Sequence, residues 1–280
     1  MARAGERELT LQQAADRLGV HYMTAYRYVR TGQITARRER GEWRLRVGDV
    51  DAFAHRTTSG GARRGTPRWS EHVTRVLTRL VSGDEAGAWQ VLERALVNGA
   101  EPTDLYVKVL GPALERVGDR WAAGELTVED EHRATTVASR LIGRLGPRFA
   151  RPGRHRGTVV LGAAPDDSHA LPTAMLADVL RGAGYAAIDL GGSTPVESFV
   201  SAAQDARSDS LVAVAVSAST TESVGTAQSV IEELRSAVPG VPLLLGGPAI
   251  SDGTAAQAAG ADAWAPDAAA VVRLMEHIKR

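Results

Sequence analysis

The feature that most constrains the fold is an alternation, from Thr158 to Ile278, of short apolar runs with helix-length amphipathic stretches. Thr158–Ala163, Ala186–Leu190, Ser210–Ser217, Val241–Leu245 and Ala263–Trp264 read as strands. Pro172–Ala183, Pro195–Ala206, Thr221–Val238, Asp252–Ala259 and Asp267–Ile278 between and after them read as helices. Apolar runs without a polar face suit strands buried on both sides, and a strand–helix–strand repeat closes through crossovers that leave the strands parallel. The expected product is a five-stranded, doubly wound parallel sheet, which takes ligands at the carboxyl ends of its strands. Three features fall there: Asp167-Ser168-His169, Ser217-Ala218-Ser219 and Gly246-Gly247-Pro248.

Upstream, the apolar period is helical. Trp69–Ser82, Glu85–Asn98, Thr103–Ala123 and Thr127–Arg144, separated by short Gly- or Pro-marked joints, predict a four-helix bundle. Gly124 supplies the left-handed residue that ends the third helix, and Thr127 with Asp130 caps the fourth. Trp121, Glu131 and His132 therefore share one end of the bundle. An aromatic, a carboxylate and an imidazole there could cover a ligand; equally, the Trp could be core and the other two solvated.

The net charge of zero hides a division. Residues 1–68 hold 14 Arg and no Lys against 7 Asp and Glu, and the remainder is acidic by the same margin. Such a basic segment suits phosphate neutralisation, or else is a solvated face. Thr10 can cap a helix burying Leu11, Ala14, Ala15 and Leu18; Gly19 stops it, and a second helix runs from His21 to Arg30. Two helices on so tight a turn form a helix-turn-helix. Two alternating strands around Arg40-Gly41 make a basic wing, and Asp49–Ala54 forms a closing helix. Thr24, Arg27, Tyr28, Arg38 and Arg44 are the candidate DNA contacts, since Arg reaches phosphates and guanine edges while Thr and Tyr position on the backbone. The segment resembles the winged helix-turn-helix of the excisionase/MerR superfamily through Leu9–Val20, Thr24-Ala25-Tyr26-Arg27, Gly32 and Asp49–Phe53.

The expected division is a winged helix-turn-helix over 1–56, a flexible linker rich in Gly, Ser and Thr over 57–68, the bundle over 69–150 and the sheet domain over 151–280. The chain has no cysteine, so a metal must be held by His or carboxylate or arrive inside a cofactor. No apolar run approaches the roughly 18 residues of a membrane span, and the amino terminus lacks a signal-peptide pattern; the expectation is a cytoplasmic protein without a membrane.

At the strand ends, Asp167 two residues before His169 can orient an imidazole that binds a metal. Ser217, Ser219, Gly246 and Gly247 would let a large ligand approach backbone closely. The set resembles the cobalamin-binding domain of methionine synthase and its relatives, with a flavodoxin-like fold. That family's pattern is Asp-x-His-x-x-Gly, Ser-x-Leu and Gly-Gly. This chain has Pro172 for the first Gly and Ser219 for Leu, with 26 residues between Ser219 and Gly246. The resemblance implies His169 as the lower axial cobalt ligand, Asp167 orienting it, and a channel near Ser168 lined by Ser217, Ser219, Gly246 and Gly247 for the displaced nucleotide base.

Trp121, nine intervening residues and Glu131-His132 resemble the signature of the light-sensing cobalamin regulators of the CarH/LitR group, which also share the order of wing, bundle and cobalamin domain. Ala122 stands where some members have His. The resemblance implies a MerR-like repressor and photoreceptor, not an enzyme. It further implies adenosylcobalamin under Trp121, Glu131 and His132, and a dark homo-oligomer, dimer or tetramer, that holds double-stranded DNA and comes apart in light. Two other readings stay open: a corrinoid methyl carrier or methyltransferase component, and a DNA-binding regulator whose pocket takes another ligand or none.

Overall fold

A computed structural model of the chain describes residues 8–18, 22–30, 34–39, 41–59 and 69–278. They belong to two compact units, Met1–Arg68 and Trp69–Arg280.

The first unit runs β1 (Glu8–Thr10), α1 (Leu11–Leu18), α2 (Tyr22–Arg30), β2 (Ala36–Glu39), β3 (Glu42–Arg46) and α3 (Val47–Ser59). The Thr10 hydroxyl accepts the Gln13 N–H and the Gln13 side chain accepts the Thr10 N–H, a reciprocal cap that starts α1. Leu11, Ala14, Ala15, Ala25, Val29, Ile34, Leu45, Val50 and Phe53 form one core. Three details depart from the sequence expectation. Glu8–Thr10 pairs antiparallel with β3, giving a three-stranded sheet ordered β1-β3-β2 rather than a lone hairpin. Val47 opens α3 instead of ending the strand, and α3 runs on through Ser59, so Thr57–Ser59 of the expected linker are helical. The rest of that linker lies outside the described residues, as do Gly19, His21 and Gly32.

The second unit opens with α4 (Trp69–Ser82), α5 (Glu85–Val97) and α6 (Pro102–Leu105). A π-helical turn (Tyr106–Leu110), α7 (Gly111–Ala122) and α8 (Val128–Leu145) complete the bundle. Buried positions in α8 recur at three- and four-residue intervals, Ala134, Val137, Ala138, Leu141, Ile142 and Leu145, facing Val73, Val76 and Leu80 of α4 and Trp89 and Leu92 of α5. The third helix is not the uninterrupted Thr103–Ala123 expected from its period. Pro112 has no N–H for the Lys108 carbonyl, and the Gly111 N–H reaches back to the Tyr106 carbonyl, so the chain widens by one residue there.

After a short 3-10 turn (Gly146–Phe149) come β4 (Thr158–Ala163), α9 (Leu171–Gly182), β5 (Ala186–Asp189), α10 (Val196–Asp205), β6 (Leu211–Ser217), α11 (Ser223–Ala237), β7 (Leu243–Gly246), α12 (Gly253–Ala258) and α13 (Ala268–Ile278). The sheet is parallel in the order β5-β4-β6-β7, with β4 buried along its whole length. The expected fifth strand is a correction: Ala263 makes a single bridge to Leu244 and no strand. Asp262 uses its carboxylate, not a further rung, to accept the Leu243 N–H, and the Trp264 indole turns away to the Ile250 carbonyl before Pro266.

The bundle and sheet share a core, since Val179 of α9 is buried among the bundle residues. The buried Tyr106 hydroxyl donates to Asp178 of α9 at 2.8 Å, and Arg181 pairs with the same carboxylate at 3.0 Å. Burial, then Asp178, pushes the Tyr106 phenol far above its ordinary range, so it stays a donor.

Candidate functional site

β4 delivers the chain to a loop, Ala164–Ala170, whose shape is held from outside. Asp166 and Ser193 have left-handed backbones, at φ 65° and 47°. Asp166 donates its N–H to the Ser193 hydroxyl at 3.2 Å, and Ser193 donates its N–H to the Asp167 carbonyl at 2.6 Å. The loops after β4 and β5 thus brace one another, with two non-glycine residues in a sparsely populated region. At Gly192 a Cβ would stand 2.8 Å from the Ser168 carbonyl oxygen, so only glycine lets the loops meet.

Asp167 is 1% exposed. One carboxylate oxygen lies 2.7 Å from His169 Nδ1 and accepts the His169 N–H at 3.1 Å. The other accepts the Ser219 N–H at 2.6 Å and the Ser223 hydroxyl at 3.4 Å. Burial pushes this carboxyl up, but the bonds from His169 and Ser219 together outweigh it and hold it below the usual carboxylate range. An ionised acceptor at Nδ1 fixes the proton there and leaves the Nε2 lone pair for a metal. His169 stands on the rim of the sheet with its side chain 55% exposed, where a large ligand can reach it.

The hydroxyl oxygens of Ser217, at the end of β6, and of Ser219 are buried, with no hydrogen-bond partner among the described residues. A buried hydroxyl left unpaired costs about 1–3 kcal/mol, so both are suited to a polar ligand group. Gly246 ends β7 where an added Cβ would make only an ordinary contact, 3.9 Å from the Ala265 carbonyl oxygen. Gly247, at φ 100°, packs so tightly on the Ala218 backbone that a Cβ would collide with it. Among the described residues no three His, Asp or Glu side chains gather around a metal position, so His169 offers a single protein ligand. One imidazole, two orphaned hydroxyls and small residues at the strand ends fit a cofactor that carries its own metal and a polar tail.

At the bundle end, Gly124 is left-handed at φ 74° and Thr127 with Asp130 forms the reciprocal cap of α8. Trp121, on the last turn of α7, is 50% exposed, which is unusual for an indole and leaves an apolar face for a ligand. Glu131 accepts the Thr135 hydroxyl at 2.7 Å and sits 3.7 Å from the exposed His132. No hydrogen bond or ring contact among the described residues joins Trp121 to either, and none joins these three to His169.

In the first unit, Thr24 and Arg27 lie on α2, and their side chains fall outside the described residues. Tyr28 packs its ring on Phe53 at 4.9 Å and so forms part of the core wall. Register separates the two wing arginines. Arg38 lies opposite Trp43, with its guanidinium 5.8 Å from that ring, while Arg44 lies opposite Arg37 on the other face and pairs with Glu42 at 3.2 Å.

Three segments match family models. Residues 73–145 and 157–273 each match a B12 binding domain, and residues 8–58 match a helix-turn-helix domain. The chain is 32% identical to the HTH-type transcriptional repressor CarH of Myxococcus xanthus over 70% of its own length and 63% of that protein's. It is 27% identical to a corrinoid protein of Desulfitobacterium hafniense over 71% of its length and 93% of that protein's. To trimethylamine corrinoid protein 1 of Methanosarcina acetivorans it is 26% identical over 49% of its length, spanning 65% of that relative. The monomethylamine corrinoid protein of Methanosarcina barkeri superimposes with a TM-score of 0.66 at 22% identity, covering 75% of this chain and 99% of that one, which shows the shared fold. Cobalamin-binding domains joined to a helix-turn-helix domain support a cobalamin-binding regulator, and corrinoid carriers stand beside a repressor among the relatives.

Sequence reasoning missed Ser223, Ser193 and Gly192, which hold Asp167 and Ser168 from 24 or more residues away. The available signal for Ser223 was its reciprocal bonding with Thr220 at the start of α11, a Thr-x-x-Ser cap pattern.

Proposed function

We propose that this chain is a cytoplasmic, cobalamin-dependent transcriptional repressor, not an enzyme. It binds double-stranded DNA through its first unit and adenosylcobalamin at the carboxyl ends of β4, β6 and β7, with light as its input and a dimer or tetramer as its DNA-binding form. The observation that carries the reading is the His169–Asp167 pair at 2.7 Å, itself anchored by Ser219, above the orphaned hydroxyls of Ser217 and Ser219. His169 Nε2 would hold the cobalt, Asp167 would keep the imidazole in the coordinating tautomer, and Ser217 with Ser219 would bind the cofactor's polar tail near Gly246 and Gly247. Trp121 would cover the bound cofactor, with Glu131 and His132 supplying polar groups at the same end of the bundle. When bound, the cofactor would supply a visible chromophore with a light-sensitive cobalt–carbon bond. Joining several weak DNA-binding units raises avidity without new contacts, so assembly alone is a sufficient switch.

A corrinoid methyl carrier is the second reading, favoured by the relatives named as corrinoid proteins, but it gives the basic first unit no task. The purified chain mixed with adenosylcobalamin in the dark should retain the cofactor, elute as an oligomer and shift duplex DNA. Green light should change the spectrum, the elution volume and the DNA shift together, and His169→Ala should abolish cofactor retention. Retention with no DNA affinity and with methyl transfer from a partner would instead establish the carrier; an unchanged spectrum and affinity in His169→Ala would remove cobalt ligation altogether.

A further inference from the structure

The second unit is acidic as a whole, yet residues 148–156 hold four Arg and one His and no carboxylate. All five side chains are exposed. Arg148 lies in the 3-10 turn after α8, and the run from Arg151 leads to the amino ends of the strands: the Arg156 N–H donates to the Gly184 carbonyl at 2.8 Å, just ahead of β5, and Thr158 opens β4. His169 follows the other end of β4, about 20 Å away along a strand of this length. Here Arg151, Arg154, His155 and Arg156 surround an open cleft of about 410 Å³ floored by Gly153 and Gly184, with no acidic residue in its wall. It continues past Arg156 into a second cleft, where Asp209 is the acidic neighbour.

Structural work accounts for some of this charge and not the rest. Arg156 stacks on the Tyr185 ring at 4.9 Å, reaches the Ala183 carbonyl at 3.4 Å and faces Glu276 at 3.9 Å. Arg148, Arg151 and Arg154 have no ion pair or hydrogen bond among the described residues. Guanidinium groups suit phosphate oxygens through their planar donor forks. A fenced site for one small anion needs buried donors, and none of these is buried; an open row of exposed arginines fits a ligand whose charges repeat along its length.

We propose that this exposed basic run is a second, sequence-independent contact for double-stranded DNA, meeting its phosphate backbone through Arg151 and Arg154 of the cleft and through Arg148, three residues before it in the chain. The inference rests on the reading of the chain as DNA-binding and adds to it a role for the cobalamin-binding unit: phosphate contact strengthens binding without reading bases.

The test uses the full chain with bound cobalamin and a duplex of about 40 base pairs of random sequence, followed by fluorescence anisotropy across a salt series. The variant Arg148→Ser/Arg151→Ser/Arg154→Ser should make the slope of log affinity against log salt shallower by about 2–3, near 0.9 for each lost phosphate contact. Its affinity in low salt should fall about 10-fold or more, with the cobalamin spectrum unchanged as a check on the fold. The Lys triple variant should keep most of the slope. A Ser variant with the native slope and affinity overturns the proposal and leaves the regulator reading intact, and a changed elution volume with the native slope overturns it by assigning the face to a second copy of the chain. Absence of any duplex affinity in the unaltered chain overturns both readings.

Discussion

At the residue scale, the hydroxyls of Ser217 and Ser219 are the groups whose energetics depend most on a ligand. Both oxygens are buried with no hydrogen-bond partner among the described residues, so left unpaired each is a cost at the sheet end. Asp167 is the opposite case, a buried carboxylate whose hydrogen bonds with His169, Ser219 and Ser223 compensate its desolvation. Substitution at the two kinds of residue therefore has different signs. Ser217→Ala should stabilise the cofactor-free chain by about 1 kcal/mol, read from the urea midpoint, while weakening cobalamin binding by about 5-fold or more in a spectral titration. A loss of stability without cofactor would mean that the hydroxyl already has a partner and is no part of the cradle.

At the element scale, what replaces the missing fifth strand matters. Asp262 accepts the Leu243 N–H at 2.8 Å and pairs with Arg235 at 2.9 Å, tying β7 to α11. Burial pushes its carboxyl up, but Arg235 and the Leu243 N–H outweigh that and hold it below the ordinary range. Its contribution is thus complete above the unfolded carboxyl pKa of about 3.9 and is lost as pH falls through the lower folded value. Unfolding measured from about pH 6 to about pH 3 should show a steeper loss in the unaltered chain than in Asp262→Asn; parallel curves would show that the ion pair adds nothing. The same element shows where sequence reading stops. Helix ends were legible because caps are local: Thr127 with Asp130, Gly124 and Thr10 each act within three residues or so of themselves. The π turn was written in Pro112, but an apolar period shows no break there. Ala263 is apolar enough for a strand, yet the ladder there is a single bridge, with the Asp262 carboxylate taking the Leu243 N–H and the Trp264 indole turned to the Ile250 carbonyl. In the site, Asp167 and His169 could be paired from sequence because they are two residues apart. Ser193 and Ser223 could not, since the chain returns to the loop only after a further strand or two. The separation of Arg38 from Arg44 likewise depends on register, which a two-residue alternation specifies only once the partner strands are known.

At the scale of the whole molecule, the division of charge assigns different physics to the two partners. The first unit carries 14 Arg, whereas the cofactor site proposed at Ser217, Ser219, Gly246 and Gly247 has hydroxyls and small residues rather than charge. Association with DNA releases counterions and so weakens steeply with salt, while a ligand held by one imidazole, hydrogen bonds and packing does not respond in that way. Raising salt from about 50 to about 200 mM should therefore lower duplex affinity by about 100-fold if four phosphates are neutralised, and should change cobalamin affinity by less than about 2-fold. Parallel titrations of one preparation, anisotropy for the duplex and absorbance for cobalamin, make the comparison internal. A flat DNA response would reduce the arginines to a solvated face and leave the chain as a corrinoid carrier. A steep cobalamin response would mean that charged groups, and not the imidazole and hydroxyls at the ends of β4 and β6, hold the cofactor.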